Sequence, residues 1–341
     1  YQQVDRVAKA IPMELHMTIA TALERSPDLR IMYESDPQIK ELIDHASKIE
    51  GMPRHASTQT AVHDLDGALY LQDLGCETIV LARELTLSEM EKIASRLTTA
   101  GAEAFVHGAH CMSVSGACYL SAMLGGRSGN RGLCAQPCRL DWRCGRGDHV
   151  LSLKDMSLLR HAQEMADAGI TTFKIEGRMK STYYIATVVH AYRALIDEYM
   201  EKGVLDASRI AFYEQEIAKA ENRPTSCGFY RGLPQAGGHL YGVNGAGVTQ
   251  EYIADVIAYD EVTQTALLQV KNHFRPHIEA EVFGPHTPST RFEIGDVCDL
   301  EGRPLEVLNQ PMQMVRMKCS LPLEEHAMIR KVYDRSGRHV Y

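Results

Sequence analysis

No run in this sequence approaches the roughly 18–20 consecutive apolar residues that a membrane-spanning helix requires, so no membrane partner is expected. The opening residues, YQQVDRVAKA, lack the apolar core of a secretory signal, which places the chain in the cytoplasm. They also lack an initiating Met, so a native N-terminal segment is expected to be missing. Three hydrolase signatures are absent: H-E-x-x-H, G-x-S-x-G and a convincing Cys–His dyad. A net basic charge is lacking too. At −8, the chain is not a generally sticky nucleic-acid binder, although a local basic surface remains open to it. Neither an internal repeat nor a low-complexity tract stands out.

What is present is an ordinary globular composition, 45% hydrophobic and 23% charged, over 341 residues. That length suits two domains, or one barrel plus a small module. Residues 5–50 read as helical, with Leu15, Ile19, Ala22 and Leu23 on one stripe and Ile39, Leu42, Ile43 and Ala46 on another. From residue 54 the texture changes to strand–helix alternation. Strand candidates lie near 54–58, 77–82, 103–107 and 171–176, and helices are predicted over 88–101, 157–169 and 181–203. Such alternation predicts a parallel sheet with crossover helices. After about residue 222 the runs become short and period-two, as in ALLQVKN, EAEVFGP and VRMKCSL, which predicts a small antiparallel β-barrel or sandwich. The expected organisation is therefore a helical segment 1–53, an α/β portion 54–222 and a β-rich domain 223–341.

Four of the nine cysteines fall within residues 111–138, spaced Cys111-x6-Cys118-x15-Cys134-x3-Cys138 among five glycines, with Gly108 just before them. Without a secretion signal, clustered cysteines read as metal or redox ligands before disulfides. The count suits a [4Fe–4S] cluster or tetrahedral zinc, the spacing matches neither standard signature, and unligated buried thiols remain open. Arg127, Arg131, Arg139, Arg143 and Arg146 crowd the same stretch against one acid, Asp141. They form either a solvated loop or a patch for RNA phosphates.

The strand FKIEGRM carries a second constellation. Its period of two puts Lys174, Glu176 and Arg178 on one face and Phe173 and Ile175 on the other. Three charges on one face of a buried strand are costly unless they pair or line a site. Arg178 suits a carboxylate and Glu176 an orienting or base role; an ion-pair ladder is the structural alternative. His107 ends the strand before the cysteines, either as a site residue or as a hydrogen-bonded core residue.

Taken together, HGAHC, SGACYLS, NRGLCAQPCR, SLKDMSLL, KIEGRMKSTYYIATVVHAYR, RHASTQTAVHD and VLARELTLSEM resemble the signature blocks of peptidase family U-32, and CGFYRGLP and VKNHFRP resemble its β-rich C-terminal domain. The resemblance spans residues 54–341. It implies a partial (β/α) TIM-type barrel followed by a small antiparallel β-barrel. It also implies a [4Fe–4S] cluster on Cys111, Cys118, Cys134 and Cys138. The branch resembles tRNA hydroxylases that make 5-hydroxyuridine at the wobble position with prephenate, a small dicarboxylate co-substrate; older usage calls the family proteases or collagenases. His110 stands where the family has a hydrophobic residue, and Cys144 offers itself as a rival fourth ligand. Residues 1–58, by contrast, resemble an internal piece of the α subunit of bacterial DNA polymerase III. That implies a chimera lacking half the barrel, and an inactive product as one alternative.

Overall fold

Strand edges and helix caps are set locally along the chain, and the computed structural model shows how. Residues 53–129, 132–143, 145, 148–177, 180–220, 223–241 and 251–332 are described. The predicted helical segment 1–53 lies outside them, apart from Pro53. They divide into two compact units, Tyr1–Glu176 with Arg223–Gly245, and Gly177–Asn222 with Ala246–Tyr341.

The first unit begins with β1 (His55–Ala56), α1 (Leu65–Asp73), β2 (Thr78–Val80) and α2 (Leu87–Ala94). Helix α2 starts where Thr86 and Glu89 form a reciprocal capping box, each side chain taking the other's backbone N–H, and it buries Met90 and Ile93. Next come β3 (Gly101–Gly108), α3 (Leu120–Gly125), β4 (Asp155–Ser157), α4 (Ala162–Asp167) and β5 (Ile170–Ile175). Strand β3 is buried along almost its whole length, the pattern of a central parallel strand. It pairs in parallel with β2 on one side and β5 on the other; its last two residues pair antiparallel with β4. Strand β6 (Thr225–Ser226) adds in parallel to β4. The four strands expected from sequence are all present. Among the described residues the order β1-β2-β3-β4-β6, with β5 on β3, leaves the sheet open rather than closed into a barrel.

The second unit holds a helix pair and an antiparallel sheet. Helix α5 (Thr182–Lys202) is capped by Ser181, whose hydroxyl accepts from the Tyr184 amide, and ends on Gly203 at φ +71°. Helix α6 (Ala207–Ala218), which the sequence reading did not separate, starts on Asp206. Strands β7 (Tyr252–Asp260), β8 (Thr265–Val270), β9 (Glu279–Phe283), β10 (Thr290–Glu293), β11 (Val297–Cys298), β12 (Met314–Lys318) and β13 (Met328–Lys331) form one sheet of order β10-β9-β13-β7-β8-β12-β11. Alternation puts Ala266, Leu268 and Val270 of β8 inside, against Ile253, Val256, Val315, Met317 and Ile329. A buried ion network fastens α6 to this sheet. Arg330, fully buried, donates to Glu216 at 2.5 Å and Glu281 at 2.9 Å, and Lys219 pairs with both acids. Burial pushes the Glu281 carboxyl up, but Lys219 and Arg330 outweigh it and hold the group below its ordinary value.

Candidate functional site

Parallel strands bring their carboxyl ends to one edge, and in α/β sheets that edge is where chemistry gathers. Here the edge carries Arg83 and Glu84 just past β2, Gly108 and the Cys111 loop past β3, and Glu176 past β5. The register sets the pairing: His107 lies opposite Ile175, so the Glu176 amide donates to the His107 carbonyl at 2.8 Å. The Glu176 carboxylate then reaches back to accept from the Ala109 amide at 3.1 Å. Only glycine fits at 108. Its φ is +125°, and a Cβ there would lie 2.5 Å from the Glu176 carbonyl oxygen and 2.7 Å from the Glu176 Cβ. Gly108→Ala is accordingly expected to cost about 1–3 kcal/mol in backbone strain, read as a lower urea midpoint at unchanged slope. It should also displace Glu176.

Arg83 was not singled out in the sequence, yet it stands at the centre of this edge. Its guanidinium lies 3.9 Å from the Phe105 ring centroid. Burial lowers its pKa, while the charges of Cys111, Glu176 and Glu84 work the other way, so the arginine sits within electrostatic reach of the first cysteine and of Glu176. The available signal was its position: a charged Arg-Glu pair directly after the apolar strand TIVLA. Glu84 pins the cysteine loop. It accepts from the Ser115 amide at 2.7 Å and the Ser115 hydroxyl at 3.0 Å, holding Ser115 at φ +44°, and faces His63 Nε2 at 3.2 Å.

The four cysteines come into one neighbourhood. Burial raises the Cys138 thiol; Arg139 works against this, and Cys111, Cys134 and Cys118 each add to the rise, so all three are within electrostatic reach of it. Gly129 packs between the Cys118 carbonyl and the Cys134 side chain. The local turns point backbone N–H groups at sulfur, Leu120 to Cys118 at 3.4 Å and Gln136 to Cys134 at 3.3 Å, and Gln136 holds φ +56° to do so. Amide donors at sulfur favour the thiolate, the form that binds metal. Cys111, Cys118, Cys134 and Cys138 take part in no disulfide. Among the described residues no three His, Cys, Asp or Glu side chains converge on a single ion. Thiolates on a [4Fe–4S] cage sit wider, about 6–7 Å apart, outside the metals they ligate. The donor set suits a [4Fe–4S] cluster or tetrahedral zinc. Cys144, the rival ligand, lies outside the described residues.

A cavity of about 270 Å³ opens beside Cys111, bounded also by Glu84, His110, Phe229 and His239. That is below the roughly 300–1,000 Å³ of a drug-sized pocket and on the scale of one planar ring or a small acid. His110 meets Phe229 edge-on at 5.8 Å. Burial lowers the His110 pKa, and Arg83 and Arg139 reinforce this against the opposing pull of Glu84 and Asp155.

Other residues named from sequence are placed differently. Lys174 does not turn to the cysteines: it pairs with buried Glu103 at 2.5 Å beside Phe105, the ion-pair alternative. His107 is fully buried within β3, in the core position that was its alternative. Arg139 departs from the phosphate expectation. It is buried, donating to Asp155 at 3.1 Å, the Leu153 carbonyl at 2.6 Å and the His110 carbonyl at 3.4 Å. It thereby ties the Cys138 turn to β4 and to the residue before Cys111, because a buried carboxylate at Asp155 needs a cation more than solvent does. Arg127 and Arg143 are exposed, the former donating to the Leu133 carbonyl and the latter held by Asp141. Arg131, Arg146 and Arg178 lie outside the described residues.

The sequence profile of peptidase family U32 matches residues 16–239, and that of the U32 C-terminal domain matches residues 248–330. The first match takes in residues 16–53, so the comparisons lend no support to the polymerase resemblance or to the chimera drawn from it. The chain is 32% identical to tRNA hydroxylation protein P1 of Bacillus subtilis, over 81% of this chain and 68% of that protein. It is 41% identical to the 23S rRNA 5-hydroxycytidine synthase of Escherichia coli, over 43% of this chain and 24% of that one. To a collagenase of Porphyromonas gingivalis it is 32% identical, over 61% of this chain and 55% of the other. Two tRNA hydroxylation proteins of Helicobacter pylori are spanned over about half their length. By profile and by relative alike, the chain belongs to peptidase family U32.

Proposed function

We propose that this chain is an RNA-hydroxylating enzyme that converts the wobble uridine of tRNA to 5-hydroxyuridine, with prephenate as its small dicarboxylate co-substrate. A [4Fe–4S] cluster would be held by Cys111, Cys118, Cys134 and Cys138 and would supply electron transfer. The observation that carries this reading is the gathering of four cysteines, two with amide donors at sulfur, at the strand edge beside a small cavity, in a chain related to RNA hydroxylation proteins. Each residue at that edge has a part. Arg83 offsets negative charge on the thiolates. Glu84 fixes the loop that carries Cys111. Glu176, held by the Ala109 amide, orients a bound acid or moves its proton. Arg178, next along the chain but one, grips a carboxylate. The exposed Arg127 and Arg143, with Arg131 and Arg146, contact RNA phosphates.

The peptidase reading draws on the names of other relatives. Ser115 Oγ does approach His63 Nε2, at 3.5 Å. Glu84, however, already accepts the Ser115 hydroxyl proton at 3.0 Å and faces the same ring nitrogen. A serine nucleophile needs a histidine that accepts its proton, with the carboxylate on the far nitrogen; here that far nitrogen, Nδ1, meets the Ala61 carbonyl at 2.6 Å.

The test is to express the chain in cells without their own wobble-uridine hydroxylase and analyse tRNA nucleosides. 5-Hydroxyuridine is expected. Its absence, with cleavage of denatured collagen by the same preparation after metal removal, would favour the peptidase.

A further inference from the structure

Burying an imidazole without a hydrogen-bond partner is costly, yet His110 is only 5% exposed and, among the described residues, neither of its ring nitrogens has one. The ring lines the cavity of about 270 Å³ beside Cys111. Its surroundings fix it there. Arg139 donates to its carbonyl at 3.4 Å, and Phe229 meets it edge-on. Gly228, at φ +56°, packs so closely that a Cβ would lie 3.1 Å from His110 Cε1. His239 lines the same cavity, and its buried Nδ1 also has no partner among the described residues. The His239 backbone bridges to Leu153, and its ring stacks on Tyr241 at 5.0 Å. Phe229, Leu153 and Pro234 supply apolar wall. Among the described lining residues there is no lysine or arginine. Glu84 is the one acid among them, and it already accepts from the Ser115 amide and hydroxyl. Arg83 and Arg139 act on His110 electrostatically but line no part of the cavity.

We infer that this cavity receives the target base of the RNA, flipped out of its stack, with His110 and His239 on its hydrogen-bonding edge and Phe229 against the ring. The inference rests on the proposed RNA substrate and adds to it the residues that read the base. Polarity and charge select the occupant. A neutral imidazole donates from one nitrogen and accepts on the other, so two of them match the alternating C=O and N–H edge of uracil. A purely apolar side chain would leave both imidazoles unpaired. A dicarboxylate would meet Glu84 and the Cys111 sulfur with no lining cation to receive it. A volume below that of a drug-sized pocket suits a single planar ring. The acid co-substrate then belongs to the Glu176 side of the strand edge, outside this cavity.

The experiment measures binding of the full chain to an anticodon stem-loop RNA by fluorescence anisotropy, independently of any turnover. It compares a wobble uridine with an abasic wobble nucleotide in the same loop. The wild type should bind the uridine loop about ten-fold more tightly, the worth of one or two hydrogen bonds. His110→Leu should lose most of that preference while binding the abasic loop as the wild type does. His110→Gln, which keeps a donor and an acceptor, should restore much of it. His239→Leu is the second variant and should also lose preference, and melting temperatures confirm that each variant folds. Saturating prephenate should leave the uridine loop bound. Equal binding of both loops by the wild type, full preference in His110→Leu, or displacement of the uridine loop by prephenate overturns the base pocket while leaving the RNA reading intact. Binding of neither loop by the wild type overturns both.

Discussion

Cys111→Ala should abolish 5-hydroxyuridine formation and strip the purified chain of its visible absorption. Four thiolates ligate a cubane through one iron each, so removing one leaves an iron open to solvent and oxygen. Cys111 is the most informative of the four. It follows β3 directly, it lies within electrostatic reach of Arg83, and it borders the cavity. Cys118→Ala and Cys134→Ala should act the same way; their sulfurs receive amide donors. Cys76→Ala, a cysteine far along the sequence from the cluster segment, should leave colour and activity unchanged. An active, coloured Cys111→Ala chain would remove the cluster from these residues.

Arg330→Met should destabilise the second unit by about 3–5 kcal/mol, the usual cost of orphaning buried charges. The side chain is fully buried, and its removal leaves Glu216 and Glu281 with Lys219 between them and Arg291 on Glu281 alone. Chemical denaturation should show a lower midpoint at constant slope. Arg330→Met combined with Glu216→Met and Glu281→Met should recover much of the loss, since well-packed apolar side chains replace such networks at little cost. The network also fixes an acid response. Glu281 has a depressed pKa in the folded chain, so its contribution is fully present above the ordinary carboxylate value of about 4.3. It is lost as pH falls through the folded value. Equal stability of wild type and Arg330→Met at pH 7 would contradict the network's role.

The parts of this fold that were legible in the sequence are those governed by periodicity. Apolar runs at 77–82, 103–107 and 171–176 became β2, β3 and β5, and the period-two runs ALLQVKN, EAEVFGP and VRMKCSL became β8, β9 and β12. Helix α6 escaped because its apolar stripe is narrow; Tyr213, Glu216 and Ile217 are its buried residues, and one of these is an acid. The cysteine segment was legible from spacing and glycine content. What spacing could not show is which charges are buried. Arg139 looked like its neighbours in the sequence, but Asp155, distant by sixteen residues, draws it inside. Lys174 shared a strand face with Glu176 and was expected at the cysteine loops, but it pairs with Glu103 on β3. Arg83 and Glu84 were part of a recognised block yet drew no notice as site residues. Their importance arises only when the ends of β2, β3 and β5 are brought side by side.

The most direct test of the central claim is elemental. The chain should be purified without oxygen and analysed for iron, acid-labile sulfide and zinc per polypeptide. A cubane on Cys111, Cys118, Cys134 and Cys138 predicts about four iron and four sulfide with no zinc, and loss of both in Cys111→Ala. One zinc and no sulfide in the wild type, or four iron and four sulfide that survive the Cys111→Ala substitution, would contradict it.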